Sequence, residues 1–228
     1  MRYGVGVALA LFFGVLAAGQ VSAAQPCEVM PMPCTFEGPG FTFRIVDGDT
    51  KKPLSDVHAL VEWQMYGAGF RLNGPVMVLD AISGADGGVA FPAWGPVDGS
   101  VLGLGVGRDP VVSLFKSGYE ALIIENTATS PGDEHARIRR AGQDRQTYAL
   151  QPFRGTPSQW LQQLRLVWLG RALARSEEAT LKFRAPYLRR MRLISAERVK
   201  LPPSDESYEG SFFWHVDREL KLLEGVPQ

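Results

Sequence analysis

The sequence predicts a mainly β protein: an antiparallel β-sandwich followed by a small C-terminal α-helical region. Three observations predict it. Short apolar–polar alternations recur from Phe41 to Phe153, separated by Gly-, Pro- and Asp-containing turns at roughly 8–12-residue spacing. Near Thr156 the pattern changes to the three-and-four spacing of helices. The composition is that of a globular chain, with 228 residues, 45% hydrophobic content and a formal net charge of +0. That charge balance gives no general argument for nucleic-acid or membrane binding.

The chain opens on a secretory-signal pattern, expected to span residues 1–23. Arg2 supplies the positive start, an apolar run follows from Val5 to Ala18, and Val21, Ser22, Ala23 and Ala24 suit small-residue cleavage. The run is shorter than the ~18–20 apolar residues of a spanning helix. Gln20 stands where a lipid-bearing Cys would be required, so no lipid anchor is expected. The expected location is the periplasm or the exterior. Residues 24–40 form a Cys-containing segment. In an oxidising compartment Cys27 and Cys34 read as a local disulfide, worth about 2 kcal/mol for so short a loop. The other reading is a soft-metal site in which Met30 and Met32 join both thiols. It would require reduced cysteines, which export disfavours.

The sandwich is expected over residues 41–153. "FTFRIVD" puts Phe41, Phe43 and Ile45 on one face and Thr42 and Arg44 on the other. "DVHALVEWQ" turns Val57, Ala59, Val61 and Trp63 inward. His58 and Glu62 fall on the opposite face, where a surface histidine is expected. "PVMVLDA", "GVAFPAW", "SVLGLGV", "PVVSLF", "EALIIE" and "QTYALQPF" supply further strands. Asp86 to Gly88 reads as a hairpin turn, because Asp-Gly tolerates positive φ. Residues 126–145 are polar and read as a mobile insertion before the last strand.

Residues 154–228 read as helical. Thr156 can cap, Pro157 suits a first helical position, and Trp160, Leu161, Leu164, Val167 and Trp168 make an apolar stripe. Ser176 with Glu177 and Glu178 marks a second start, and Pro186 reads as an interruption. Leu188, Met191 and Ile194 continue a stripe. Ser211 opens a last helix that Gly225 can close.

Three segments together resemble the carboxypeptidase regulatory-like, or transthyretin-like, domain. They are "RIVDGDTKKPLSDVHALVEW", "SGADGGVAFPAW" and "DPVVSLFKSGYE". Val46, Asp47, Thr50, Pro53, Leu54 and Val57 match the opening strand, turn and second strand. Ser83, Asp86, Gly87, Val89 and Phe91 match the hairpin, and Phe115, Lys116, Gly118 and Tyr119 the strand that ends in Gly-Tyr. The resemblance covers about a third of the chain, from Phe43 to Tyr119. Asp56 stands where the family has Gly, Gly84 replaces the first acid of the hairpin, and Val89, though aligned with the hairpin, replaces an aromatic. The resemblance implies an immunoglobulin-like sandwich of about seven strands, in a domain that is an accessory of the namesake enzymes rather than their catalytic unit.

No catalytic constellation is evident. His58, His135 and His215 stand in no zinc-ligand spacing, and no G-x-S-x-G elbow occurs. "GLGVG", Gly103 to Gly107, lacks the phosphate-binding pattern and its helix. No cofactor is expected. The segment "KFRAPYLRRMRLISAERVK" is basic and reads as a solvated helix face, with docking to an acidic partner or anionic lipid as the alternative.

The expectation is therefore a non-enzymatic exported sandwich that contacts another protein in the cell envelope. Trp63, Trp94, Tyr119, Arg189, Arg190 and Arg192 are the candidate interaction surface. The alternative is a small-ligand or carbohydrate binder using Trp63 or Trp94 beside carboxylates. An enzyme built from Asp86, Asp80 or Glu62 lacks a paired acid and base.

Overall fold

The computed structural model describes residues 35–66, 72–98, 105–106, 110–126, 137–168, 181–201 and 211–225. The signal segment, Cys27, Met30, Met32, Cys34 and His135 lie outside the described residues, as does the second helix start at Ser176. The strands are β1 (Thr35–Gly38), β2 (Phe41–Asp47), β3 (His58–Tyr66), β4 (Leu72–Ile82) and β5 (Gly88–Phe91). They continue as β6 (Trp94–Asp98), β7 (Gly105–Val106), β8 (Val111–Phe115), β9 (Leu122–Ile124) and β10 (Thr147–Leu150). The helices are α1 (Pro157–Val167), α2 (Arg184–Ala196) and α3 (Phe212–Glu224), with a 3-10 turn at Glu197–Lys200 after α2.

A first sheet has the order β10-β2-β5, and a second the order β4-β3-β8-β9 with β7 also on β3. β1 and β6 form a two-stranded ribbon. The alternation in β2 holds, with Phe41, Phe43 and Ile45 buried and Thr42 and Arg44 exposed. A buried Phe or Ile is worth about 1.5–3 kcal/mol. A one-residue slip would bring Thr42 and Arg44 inside, so the register is fixed by that face. Ala59, Val61 and Trp63 of β3, Val89 and Phe91 of β5, and Val112 and Leu114 of β8 complete the inter-sheet core. One pairing departs from the antiparallel expectation: β10 runs parallel to β2, with Thr147 opposite Arg44.

The turn at Asp86 joins strands of different sheets and is not a simple hairpin. β4 belongs to the second sheet and β5 to the first. Gly87 N–H donates to the Gly84 carbonyl at 2.9 Å, and Gly88 N–H donates to Asp86 Oδ1 at 2.9 Å. Gly87 takes φ +73°, and a Cβ there would lie 2.2 Å from the Ile45 carbonyl oxygen. Glycine is required twice over, by dihedral and by space. Asp56 adopts φ +57°, a conformation that Asp tolerates better than most residues.

The second half of the expected insertion is packed. Asn126 donates to the Arg140 carbonyl at 2.8 Å and accepts from Gly142 N–H at 2.7 Å. Arg139 and Gln143 are buried, and Gln143 donates to the Pro110 carbonyl at 3.0 Å. Residues 127–136 lie outside the described residues.

The outer face of the second sheet is covered as well. Leu60, Val78 and Phe115 pack against Trp160, Leu164 and Val167 of α1, Tyr187, Met191 and Ile194 of α2, and Phe212, Phe213, Val216 and Leu223 of α3. The molecule is thus layered sheet, sheet, helices around two cores. Thr156 and Gln159 form a reciprocal capping box at α1, with bonds of 3.3 and 2.8 Å. Ser211 caps α3, and Gly225 ends it at φ +71°. Pro186 does not interrupt α2. It stands in the first turn, where a missing N–H leaves nothing unbonded. No side chain caps α2, so its contacts with the sheet hold it.

Candidate functional site

A buried set of ionisable side chains lies where α2 crosses β3, β4 and β8. β3 supplies His58 and Glu62 on the face out of phase with Ala59, Val61 and Trp63. β4 supplies Asp80 opposite Leu60, and β8 supplies Ser113 opposite the same Leu60. Side chains directly opposite in a ladder share a face. α2 contributes Tyr187, Arg189 and Arg190.

Arg190 is fully buried. Its Nε donates to His58 Nδ1 at 2.8 Å, and Nη1 donates to Ser113 Oγ at 3.0 Å. Nη2 donates to the carbonyls of Ser113 at 2.9 Å and His58 at 3.2 Å. A guanidinium cannot accept a hydrogen bond. His58 Nδ1 is therefore the acceptor, and the proton sits on Nε2, which donates to Asp80 Oδ2 at 3.0 Å. Arg189, itself half in solvent, donates to the same oxygen at 2.5 Å. Further along, Tyr187 Oη donates to Glu62 Oε1 at 2.8 Å, and Gln64 donates to it at 3.2 Å.

The electrostatics follow from burial and these partners. Burial lowers His58 to about 4; Arg190 adds to this and Asp80 opposes it. Burial pushes Asp80 up, but His58 and Arg189 outweigh it and leave its carboxyl below the usual range. Burial raises Glu62 against the pull of Tyr187 and Arg190. Burial lowers Arg190 to about 9, while Glu62 and Asp80 pull it back up. The imidazole is neutral and flanked by an anion and a cation.

His58, Asp80 and Ser113 are the residue types of a nucleophilic triad, but the geometry is not one. The ring nitrogen that would serve as base receives Arg190, and Ser113 Oγ receives the same guanidinium. No general base is left to activate the hydroxyl. Each polar group is satisfied by another in the protein, and the cluster lies beneath a helix. The arrangement works as a clasp that fastens α2 to the second sheet.

The structure relocates several of the predicted site residues. His58, expected on the surface, is wholly buried because α2 covers that face. Arg190, expected on a solvated face, is buried with it. Trp63 and Trp94 are inside the sandwich, with ring centroids 5.0 Å apart, and neither forms a surface. Tyr119 is half-buried and donates to Asp47 Oδ2 at 2.9 Å. Four hydrogen bonds to Asp47, foremost those from Thr50 N–H and Tyr119, hold it at about 2 against the upward push of burial. Arg189 and Arg192 are exposed, paired with Asp80 and with Glu224 of α3. Asp86 serves its own turn. Of "GLGVG", Gly105 and Val106 are described and pair with β3. His215 stands on α3 between Trp168 and Trp214.

Sequence reasoning missed the clasp. One signal was present: Leu60, Val78 and Phe115 are apolar on the outer sheet face. A sheet buried on both faces reads as near-continuous apolar runs, as "VVSLF" does. Among the described residues, no group of three or more His, Cys, Asp or Glu could hold a metal ion. No helix among them is long and apolar enough to cross a membrane.

No protein-family model matches this chain, and no curated protein matches it. Among solved structures it is similar over 50% of its length to the group B streptococcus pilus 2b backbone protein, at 12% identity, TM-score 0.25 and 41% of that chain. It is similar over 54% of its length to the shaft pilin SpaA from Lactobacillus rhamnosus GG, at 12% identity, TM-score 0.27 and 48% of that chain. Over 54% it is similar to the dioxygenase domain of a dioxygenase–carbohydrate-binding fusion from Streptomyces sp. SirexAA-E, at 20% identity, TM-score 0.29 and 82% of that chain. The match spans less than half of either pilin. Superpositions this loose say nothing of ligand or activity.

Proposed function

We propose that this chain is an exported, non-enzymatic β-sandwich of the carboxypeptidase regulatory-like type that acts by contacting another protein in the cell envelope. One observation carries the reading. His58, Glu62, Asp80, Ser113 and Arg190 are committed to partners in the clasp, whereas large apolar side chains stand exposed on the helical layer. Leu166 is 56% exposed, Leu181 44% and Val199 87%. Exposed apolar groups mark a protein interface where they gather into a patch rimmed by polar ones, and the variants below test these residues for that role. The signal-like N-terminus, with cleavage expected near Ala23, supports an envelope location. Trp63 and Trp94, the aromatics of the carbohydrate alternative, are inside the sandwich and offer no platform.

The test is in-cell crosslinking of the full chain, affinity purification and mass spectrometry. A reproducible partner whose recovery falls with Leu166→Asp or Val199→Asp is the expected result. Recovery of no partner above the control would overturn the reading. So would turnover of a substrate by the purified chain.

A further inference from the structure

Four cations of the helical layer have a carboxylate partner, while Lys182 and Arg184 are exposed with none among the described residues. Arg189 pairs with Asp80, Arg192 with Glu224, Arg198 with Asp217 and Lys200 with Glu197. A different strip, shared by α1 and α3, also stands without ion-pair partners among the described residues. Arg165, Arg218 and Lys221 are exposed, and none has a carboxylate within ion-pair distance among the described residues.

These cations border a continuous aromatic chain. Arg165 lies 5.8 Å from the centroid of the Phe212 ring. Phe212 meets Trp168 at 5.7 Å, Trp168 meets His215 at 5.7 Å, and His215 meets Trp214 at 4.9 Å. Arg218 closes the row over Trp214 at 5.8 Å. Trp214 and Lys221 are seven positions apart on α3, with Arg218 between them, so the three share one stripe. The carboxylate beside the row, Glu219, is engaged by the Trp168 indole at 2.8 Å.

We propose that this strip is the docking surface for an acidic polypeptide segment of the partner. The inference rests on the protein-contact reading and names the chemistry of what is contacted. Three observations converge. Arg165 and Arg218 lie over aromatic rings with no carboxylate in ion-pair distance among the described residues, Glu219 acting on Arg218 only at longer range, so the guanidiniums are positioned in advance. Half-buried Trp beside Arg is the composition that dominates binding energy at protein interfaces. The chain as a whole has a formal net charge of +0, so attraction for acidic groups arises from local patches such as this strip and not from overall charge. Carboxylates spaced along an extended segment would reach Arg165 at one end and Arg218 and Lys221 at the other.

The probe is a poly-glutamate peptide added to the full chain at low salt, read by Trp fluorescence. Saturable binding that weakens with salt is expected. The double variant Arg165→Gln/Arg218→Gln should bind about tenfold more weakly. Arg192→Gln, whose cation is already paired off the strip, should bind as the parent does. Thermal melts confirm that each variant is folded. Unchanged affinity in the double variant would overturn the proposal, as would absence of peptide binding. Vesicles of phosphatidylcholine and phosphatidylglycerol form the second arm. Binding to them without binding to the peptide would assign the strip to a lipid surface and overturn the proposal. Crosslinking separates the two readings. If the double variant recovers the cellular partner undiminished, the strip is wrong and the protein-contact reading stands.

Discussion

At the scale of single residues, Arg190 and His58 decide how α2 is held. Arg190 makes every contact of the clasp that reaches β8, and two of its acceptors are backbone carbonyls. Removing it strands His58 Nδ1 and those carbonyls under a helix. Arg190→Ala should therefore cost roughly 3–5 kcal/mol, as loss of one member of a buried charged network does. Arg190→Met, which refills the space, should cost less. Urea unfolding at neutral pH measures both, and a loss below about 1 kcal/mol for the alanine variant would mean that the clasp bears little load. His58 makes stability depend on pH. Its folded pKa is about 4 against an ordinary 6.5. Between these values the unfolded chain takes up a proton that the native chain refuses, so stability falls as pH drops from about 6.5 towards 4. The loss is on the order of 3 kcal/mol over that window. His58→Gln should flatten this part of the pH–stability curve; an unchanged slope would show that another group is responsible.

At the scale of elements, the legible parts are those whose signal is local. β2 shows itself by strict alternation, and α1 by Thr156, Pro157 and Gln159 in order. Thr156→Ala should lower stability by about 1 kcal/mol through loss of the capping box, measurable in a thermal melt. Gly87 is equally local in sequence, but its role is not. The Asp-Gly signal gives a turn, whereas the close approach of the Ile45 carbonyl that connects two sheets has no sequence signature. Gly87→Ala should cost about 1–3 kcal/mol, more than a change at Gly118, where a Cβ would meet nothing within 4 Å. Equal losses at the two positions would show that dihedral strain alone matters. α2 is the opposite case. It has no side-chain cap and carries a proline in its first turn. Its register is set by Tyr187, Arg189 and Arg190 meeting residues more than a hundred positions earlier. A basic stretch with an apolar stripe looks the same whether its arginines face water or a buried histidine. That distinction is absent from the segment itself.

At the scale of the whole molecule, the second sheet is an internal layer. Ala59, Val61 and Trp63 serve one core and Leu60 the other, so β3 is buried on both faces. The sandwich is legible as a class, but its dependence on the helices is not, because among the described residues few apolar side chains, Leu60, Val78 and Phe115 with Met77 beside them, mark the second core from the sheet side. A chain ending after residue 155 would expose those residues together with His58 and Glu62. Such a fragment should bind a hydrophobic dye strongly and aggregate, and adding the helices back in cis should abolish both. A fragment that stays monomeric with the parent's melting temperature would show that the sandwich is independent.

The parallel pairing of β10 with β2 also sets an order of events at the ribosome. Arg44 waits for Thr147, about a hundred residues later, before the first sheet has its third strand. α1 begins only ten residues further on, at Pro157. The emerging polypeptide therefore stays incomplete for most of its synthesis, with β2 offering an unpaired edge. Closure of that sheet comes first, and the helices that cover the second sheet follow it, α2 at Arg184 and α3 at Phe212. Until then the unpaired edge of β2 and the uncovered outer face of the second sheet are the surfaces through which such a chain would aggregate.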